Sequence, residues 1–251
     1  MSGLAVLVGK ELLEARRTLR LQVVAGLFLI VGIGSPLIAR YTPEIVEALA
    51  GDMGIPIPTP SPSDAVDQLL KNLVQFGGLA AILLAMGSVA TEKERGTAAL
   101  ILTKPVDRAA FLVAKLVTLA ATLALATALA TAGAWLYTMI LFEQPSAVGY
   151  AASGVLTWLS LVAYAAVTFL ASTLTRSALV AAAVGFGAFV ALGIASAFPT
   201  VGEYLPPGLG VPARALALGE AADPLLPLVS TLVLIVACAV GAWASFRRQE
   251  L

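Results

Sequence analysis

The charged side chains that could do polar chemistry in this chain are concentrated in one interior segment, residues 91–108. Acidic and basic groups in such a segment suit charge-assisted hydrogen bonds, within the loop or with a protein partner. The chain contains no histidine, so sites that need imidazole are excluded. It also contains no Gly-x-x-x-x-Gly-Lys-Ser/Thr loop to hold a nucleotide phosphate. We therefore expect a docking or connecting role for this segment rather than a catalytic one.

Local signals predict a short helical turn at the start of the segment. Thr91 and Glu94 have the spacing of a capping box, in which each side chain satisfies a free backbone N–H. Gly96 follows and can redirect the chain, because a residue without a side chain tolerates backbone angles that others avoid. The prediction is a capped turn that ends at this glycine.

A second short helix is predicted in the middle of the segment. Thr97 can cap it, and the Lys104-Pro105 pair should end it, because a residue before proline avoids helical angles. Asp107 then fits the N-cap position of a longer helix that begins at Arg108. The segment is thus predicted as turn, short helix and stop.

Composition identifies the surroundings of this segment as a membrane. Of the 251 residues, 59% are hydrophobic and only 12% are charged, with a mean hydropathy of +0.95. Soluble domains carry about 25% charged residues. Acidic and basic residues balance at 15 each, and no basic patch interleaved with aromatic residues indicates nucleic-acid binding. The single cysteine, Cys238, cannot form an intramolecular disulfide.

The spacing of charges predicts an all-α, polytopic membrane protein with six transmembrane helices in a single transmembrane domain, residues 1–251. A bilayer core needs roughly 20 helical residues, and uncharged stretches of that length predict spans near 21–39, 70–90, 112–140, 150–174, 178–198 and 225–246. Residues 41–68 and 199–224 are predicted as outer loops, the second with a short helix that lies on or dips into the outer leaflet.

Basic residues predict the orientation of the spans. Of the 15 lysines and arginines, only Arg40, Lys71 and Arg214 fall on the side opposite the N-terminus. The positive-inside rule therefore places both termini in the cytoplasm, in a multi-pass protein of the cell inner membrane. An amphipathic helix over residues 3–20 should lie on the cytoplasmic surface as an elbow before the first span. A signal peptide is disfavoured, because no small-x-small cleavage site follows.

The segment also carries a resemblance. It rests on the run from Glu92 to Thr97, an apolar turn, the run from Lys104 to Arg108, and then Lys115. Together these residues resemble the loop between spans two and three of ABC-2 type permeases. The resemblance implies a coupling helix within residues 91–108 that docks on a separate ATPase subunit. The ATPase-coupling residues that it implies are Glu92, Glu94, Arg95, Gly96, Thr97, Leu100, Leu102, Lys104, Pro105, Asp107 and Arg108.

The resemblance implies the permease subunit of an ATP-driven transporter. Two copies of this chain, or one copy and a related permease, would form the path, and two copies of the ATPase subunit would bind ATP and magnesium. This chain would hold no cofactor and would not be an enzyme itself. Its uncharged spans favour export of a lipid-like or amphipathic substrate, and membrane lipid would surround it.

Other functions fit the sequence in part. A passive channel or a membrane scaffold would also present a docking loop, although no charged ring or filter-like loop supports a channel. A proton-coupled transporter is disfavoured, because no ionisable residue falls at mid-membrane depth. An intramembrane enzyme lacks the acids and imidazoles that it would need.

Overall fold

The computed structural model of the chain describes residues 3–50, 59–96, 107–142 and 145–249. Within those ranges all the regular elements are helices. In chain order they are α1 (Gly3–Arg17), α2 (Arg20–Ala50), α3 (Pro62–Met86), α4 (Ala90–Glu94), α5 (Arg108–Leu141), α6 (Ala147–Leu174), α7 (Ala178–Ala195), α8 (Pro199–Gly202), a 3-10 turn (Pro206–Leu209), α9 (Gly210–Ala217) and α10 (Leu225–Arg247).

Six of these helices are long and apolar enough to cross a membrane, namely α2, α3, α5, α6, α7 and α10. The predicted class, an all-α polytopic membrane protein with six spanning helices, is confirmed. The agreement has a simple cause. Backbone N–H and C=O groups have no water to bind in hydrocarbon, so an apolar stretch of that length satisfies them within a helix.

The first two long helices extend beyond the predicted spans. Helix α2 continues to Ala50 and contains Pro36 and Pro43. Helix α3 begins already at Pro62, where the Asp64 carboxylate accepts a hydrogen bond of 2.8 Å from the Ser61 N–H. Both ends of the stretch predicted as an outer loop, 41–68, are therefore helical.

The N-terminal helix is shorter than predicted. Helix α1 ends at Arg17, and Leu19 then adopts a φ of +60°. This left-handed residue separates α1 from α2, which begins at Arg20. A non-glycine residue with positive φ is uncommon, and no feature of the sequence marks it, so the prediction of one helix over 3–20 missed the break.

Helix α6 forms the centre of the bundle. It packs against α3, α5, α7, α9 and α10, and it is the most buried of the spanning helices. Large side chains fill the space around it, including Phe28, Phe169, Leu73 and Leu161. Helices α7 and α10 bury much less of their apolar surface, as expected of helices that face lipid.

The segment between α7 and α10 folds back beside α6. The Ser160 hydroxyl, buried in the middle of α6, donates a hydrogen bond of 2.9 Å to the carbonyl of Pro206. At 1.5 Å per residue, Ser160 lies about 20 Å along α6 from Ala147. Helix α9 then returns along α6, where its Leu216 carbonyl lies against Gly149. This part of the predicted outer loop 199–224 therefore dips along a spanning helix.

The two ends of the bundle are distinguished by these short elements. We call the end that carries α1, α4 and the last residues of α6 and α10 the α4 end. The opposite end, where Arg214 of α9 pairs with Asp67 of α3, is called the α9 end.

Candidate functional site

Helix α4 is fastened to the last turn of α6. The N–H groups of Val89 and Ala90 both donate to the Ser172 hydroxyl, at 3.1 and 2.9 Å. The Lys93 ammonium donates to the Thr173 carbonyl at 2.8 Å. Both ends of this five-residue helix are thus bound to α6.

The capping box predicted at this helix does not form. Its N-cap is Val89, which provides no side-chain cap, and Thr91 lies inside the helix. The free N–H groups are satisfied from across the bundle by Ser172 instead. The prediction failed because a hydroxyl that is distant in sequence reached the same donors that a local cap would have bound.

A buried lysine is the centre of the α4 end. The Lys115 ammonium lies 2.7 Å from a carboxylate oxygen of Glu92 and 3.1 Å from one of Glu11. Its side chain is only 4% exposed. These contacts join α5, α4 and α1 at one point, and the Phe111 ring, with its centroid 5.0 Å away, adds a cation–π contact.

This arrangement is costly to break. A buried ammonium is tolerated only where paired carboxylates compensate for its lost hydration. The same carboxylates also act on a neighbouring lysine of α1. Burial tends to lower the pKa of Lys10, but its hydrogen bond to Glu11 and the attraction of nearby carboxylates leave that pKa raised. The ion pairs therefore fix α1, α4 and α5 relative to one another.

The end of the segment is bound to the C-terminal helix. The Arg108 guanidinium donates to the carbonyls of Phe246, Arg247 and Gln249, at 3.2, 3.1 and 3.1 Å. These carbonyls terminate α10, where a cation also interacts favourably with the helix dipole. Phe111 stacks on Phe246 with ring centroids 5.7 Å apart. The first turn of α5 is therefore attached to α10.

The predicted N-cap of α5 is confirmed. The Asp107 carboxylate accepts a hydrogen bond of 3.1 Å from the Ala109 N–H. Gly96 adopts a φ of +69°, a left-handed angle that suits glycine. The turn that ends α4 thus has the backbone angle for which a glycine was expected there.

Comparisons with known proteins identify the family of the chain. A family described as "ABC-2 family transporter protein" matches residues 5–206, which include Glu11, Glu92 and Lys115. The chain belongs to the ABC-2 transporter family. It is also 32% identical over 256 residues to the uncharacterized transmembrane protein YxlG of Bacillus subtilis (strain 168), covering 100% of this chain and 99% of that protein.

Membership of the ABC-2 family gives the chain a coarse role. It is a membrane subunit of a transporter and is not itself catalytic, and the family implies an ABC ATPase partner in general. The match spans α1 to the 3-10 turn, so the site at the α4 end lies within the part shared with the family, except for its contacts to α10.

The predicted coupling residues of this ABC-2 protein divide into three groups. Glu92, Asp107 and Arg108 contact other residues of the same chain. Glu94, Arg95 and Gly96 are exposed at the α4 end. Five lie outside the described residues, namely Thr97, Leu100, Leu102, Lys104 and Pro105.

Sequence reasoning did not find three residues that hold the site together. Glu11 and Ser172 were assigned no role, and Lys115 was named only at the end of the resemblance. One signal pointed to Lys115, since it is the single charged residue of the long apolar helix α5 after Arg108. Its partners come from other elements, which that signal does not identify.

Proposed function

We propose that this chain is the permease subunit of an ATP-driven ABC-2 transporter, coupled through residues 91–108 to a separate ATPase subunit at the cytoplasmic side. The observation that carries the proposal is the buried Lys115, which binds both Glu92 of α4 and Glu11 of α1. In this proposal the α4 end faces the cytoplasm, α1 is the elbow helix, and α4 is the first part of the coupling element.

The contacts of α4 support its action as a lever. Ser172 and Thr173 attach it to α6, and Lys115 attaches it to α5. Arg108 attaches the far end of the segment to α10. When two ATPase subunits bind ATP and close, a push on residues 94–96 would therefore move the inner ends of three spanning helices together. Two permease copies, identical or related, would open the path between them.

A lipid-like or amphipathic cargo fits the surface of the spans. Helices α5 and α6 enclose a groove of about 560 Å³, lined by small residues, threonines and two tryptophans. The indole N–H groups of Trp135 and Trp158 are already bound to the carbonyls of Pro145 and Ala120, at 3.2 and 2.9 Å. The lining carries no ionisable group except the tyrosine hydroxyl of Tyr150, which contacts Thr138. Such a groove suits an apolar chain.

The first test is the partner. We expect gentle detergent extraction of the tagged chain from its own cells to retain a stoichiometric ATPase that has a phosphate-binding loop, identified by mass spectrometry. Replacement of residues 94–97 by alanine should remove it, whereas Glu203→Ala, a change of an exposed acid between α8 and the 3-10 turn, should not. Recovery of this chain without any nucleotide-binding protein, even after cross-linking, would favour the passive scaffold instead.

The second test is the turn at Gly96. Its left-handed φ of +69° disfavours a β-branched side chain by roughly 1–3 kcal/mol, while none of the described residues lies within 4 Å of a Cβ placed there. In proteoliposomes with the ATPase, Gly96→Val should retain ATP hydrolysis but move a fluorescent phospholipid analogue about tenfold more slowly, as about 1.4 kcal/mol of added barrier gives.

Gly96→Asn is the matched control, because asparagine tolerates left-handed angles far better than valine. It should keep most of the ATP-driven movement of the analogue. Full movement by Gly96→Val would contradict a lever that depends on this turn. If both variants lost movement of the analogue, the cause would be the presence of any side chain at this position, and not the backbone angle.

A further inference from the structure

A second feature of the α4 end is a polar cavity of about 320 Å³ beside the Lys115 ion pairs. It lies between α1, the first residue of α2, the end of α3, α4 and α5. Its lining combines charged groups with hydroxyls and two leucines, Leu84 and Leu119. The ion pairs described above form only one wall of it.

Two arginines in the lining have no acidic partner among the described residues. Lys115 binds Glu11 and Glu92, and Lys10 binds Glu11 and Glu14, at 3.1 and 3.5 Å. The three carboxylates of the lining thus form ion pairs with the two lysines. The guanidinium groups of Arg20 and Arg95, both exposed at the rim, make no ion pair or hydrogen bond within the part of the chain that the structure describes.

A buried hydroxyl in the same cavity is also unsatisfied. Thr118 lines the cavity and is 7% exposed, and its hydroxyl has no hydrogen-bond partner among the described residues. A buried hydroxyl that has lost its water and gained no partner is unfavourable. A polar atom of a bound molecule would recover that loss.

We propose that this cavity binds the phosphate headgroup of an anionic membrane phospholipid. Arg20 and Arg95 would hold the phosphate oxygens, since a guanidinium presents paired N–H donors that match phosphate. Leu84 and Leu119 would contact the apolar part next to the headgroup, and Thr118 would bind one of its polar atoms. The bound lipid would bridge the start of α2 and the end of α4.

The position of the cavity favours a lipid over a soluble anion. Arg20 is the first residue of a spanning helix, where basic groups meet the headgroup layer. Helix α1 adds Arg16 and Arg17 in its last turn, outside the cavity lining. An amphipathic ligand also matches a lining that is polar at the rim and partly apolar inside. The proposal does not depend on coupling to an ATPase.

The test uses native mass spectrometry of the full chain released from nanodiscs of phosphatidylcholine with phosphatidylglycerol. We expect the wild type to retain a phosphatidylglycerol molecule that Arg20→Gln combined with Arg95→Gln loses, by roughly tenfold in occupancy for two lost charge-assisted contacts. Arg16→Gln combined with Arg17→Gln removes the same charge outside the cavity and should retain the lipid. Thr118→Val, which changes no charge, should also weaken retention.

Three results would overturn the proposal. Equal loss of lipid in both double variants would show a general effect of surface charge. Unchanged retention of the lipid in the Arg20 and Arg95 double variant would show that these arginines do not bind its phosphate. Inorganic phosphate that displaces the lipid at millimolar concentration and stabilises the detergent-purified protein equally well would assign the site to a soluble anion. Thermal unfolding of each variant shows whether it is folded, and both arginines are exposed.

Discussion

Lys115→Met lowers the stability of the protein by about 3–5 kcal/mol, the usual cost of removing one partner of a buried ion pair. The change leaves the carboxylates of Glu11 and Glu92 close together without their shared cation, in a site where Lys115 was 4% exposed. It also removes the cation–π contact with Phe111. Thermal unfolding of the detergent-purified protein, followed by tryptophan fluorescence, measures the loss.

Two further variants isolate the cause. Lys115→Met combined with Glu11→Gln and Glu92→Gln removes the uncompensated charges and should recover most of the stability, because methionine fills a similar volume. Lys10→Met serves as the surface control. Its side chain is 47% exposed, although it contacts the same Glu11, so about 0–1 kcal/mol is expected. Equal losses for Lys115→Met and Lys10→Met would refute the central role of Lys115.

The proposed coupling leads to a further prediction about Lys115. If α4 moves the spans through Lys115, then the triple variant should be folded and yet move a fluorescent phospholipid analogue poorly in proteoliposomes with the ATPase. Stability and transport would then separate, because the uncharged contact no longer fastens α4 to α5. A triple variant with full transport would assign the lever to the contacts of α4 with Ser172 and Thr173 alone.

Gly32→Ala destabilises the pair of helices with the most extensive contact, α2 and α5. A methyl group at this buried position would meet the main-chain carbonyl of Ala130 well inside van der Waals contact. A main-chain carbonyl cannot move by a rotamer change as a side chain can, so α2 and α5 must separate. Overpacking of this kind costs about 1–3 kcal/mol, and thermal unfolding should show the loss.

Gly34→Ala is the matched control, two residues along the same helix. Nothing lies within 4 Å of a methyl group there. Since alanine restricts the unfolded chain more than glycine does, this change should be neutral or stabilise by about 0.4–1 kcal/mol. The two substitutions are chemically identical and should have opposite signs. Equal unfolding temperatures would contradict the close approach of α2 to Ala130.

Local properties of the sequence were sufficient for the frame of the molecule. Runs of about 20 uncharged residues predicted six spanning helices, because hydrocarbon leaves a backbone few alternatives. Asp107 predicted the start of α5, and Gly96 predicted a turn, because each depends on its own backbone or on a residue two positions away. The extent of α2 and α3 was not predicted, since helices continue past the apolar stretch when their ends are satisfied.

Only the tertiary structure decided how the candidate site is held together. Glu11 and Lys115 are 104 residues apart in the chain, and Ser172 is 82 residues from the N–H of Ala90 that it caps. The N–H groups at the start of α4 had a local alternative in the predicted Thr91 capping box. The choice is made by burial. Once packing removes Lys115 and the start of α4 from water, their polar groups must bind whatever the neighbouring helices present, and sequence spacing carries no record of those neighbours.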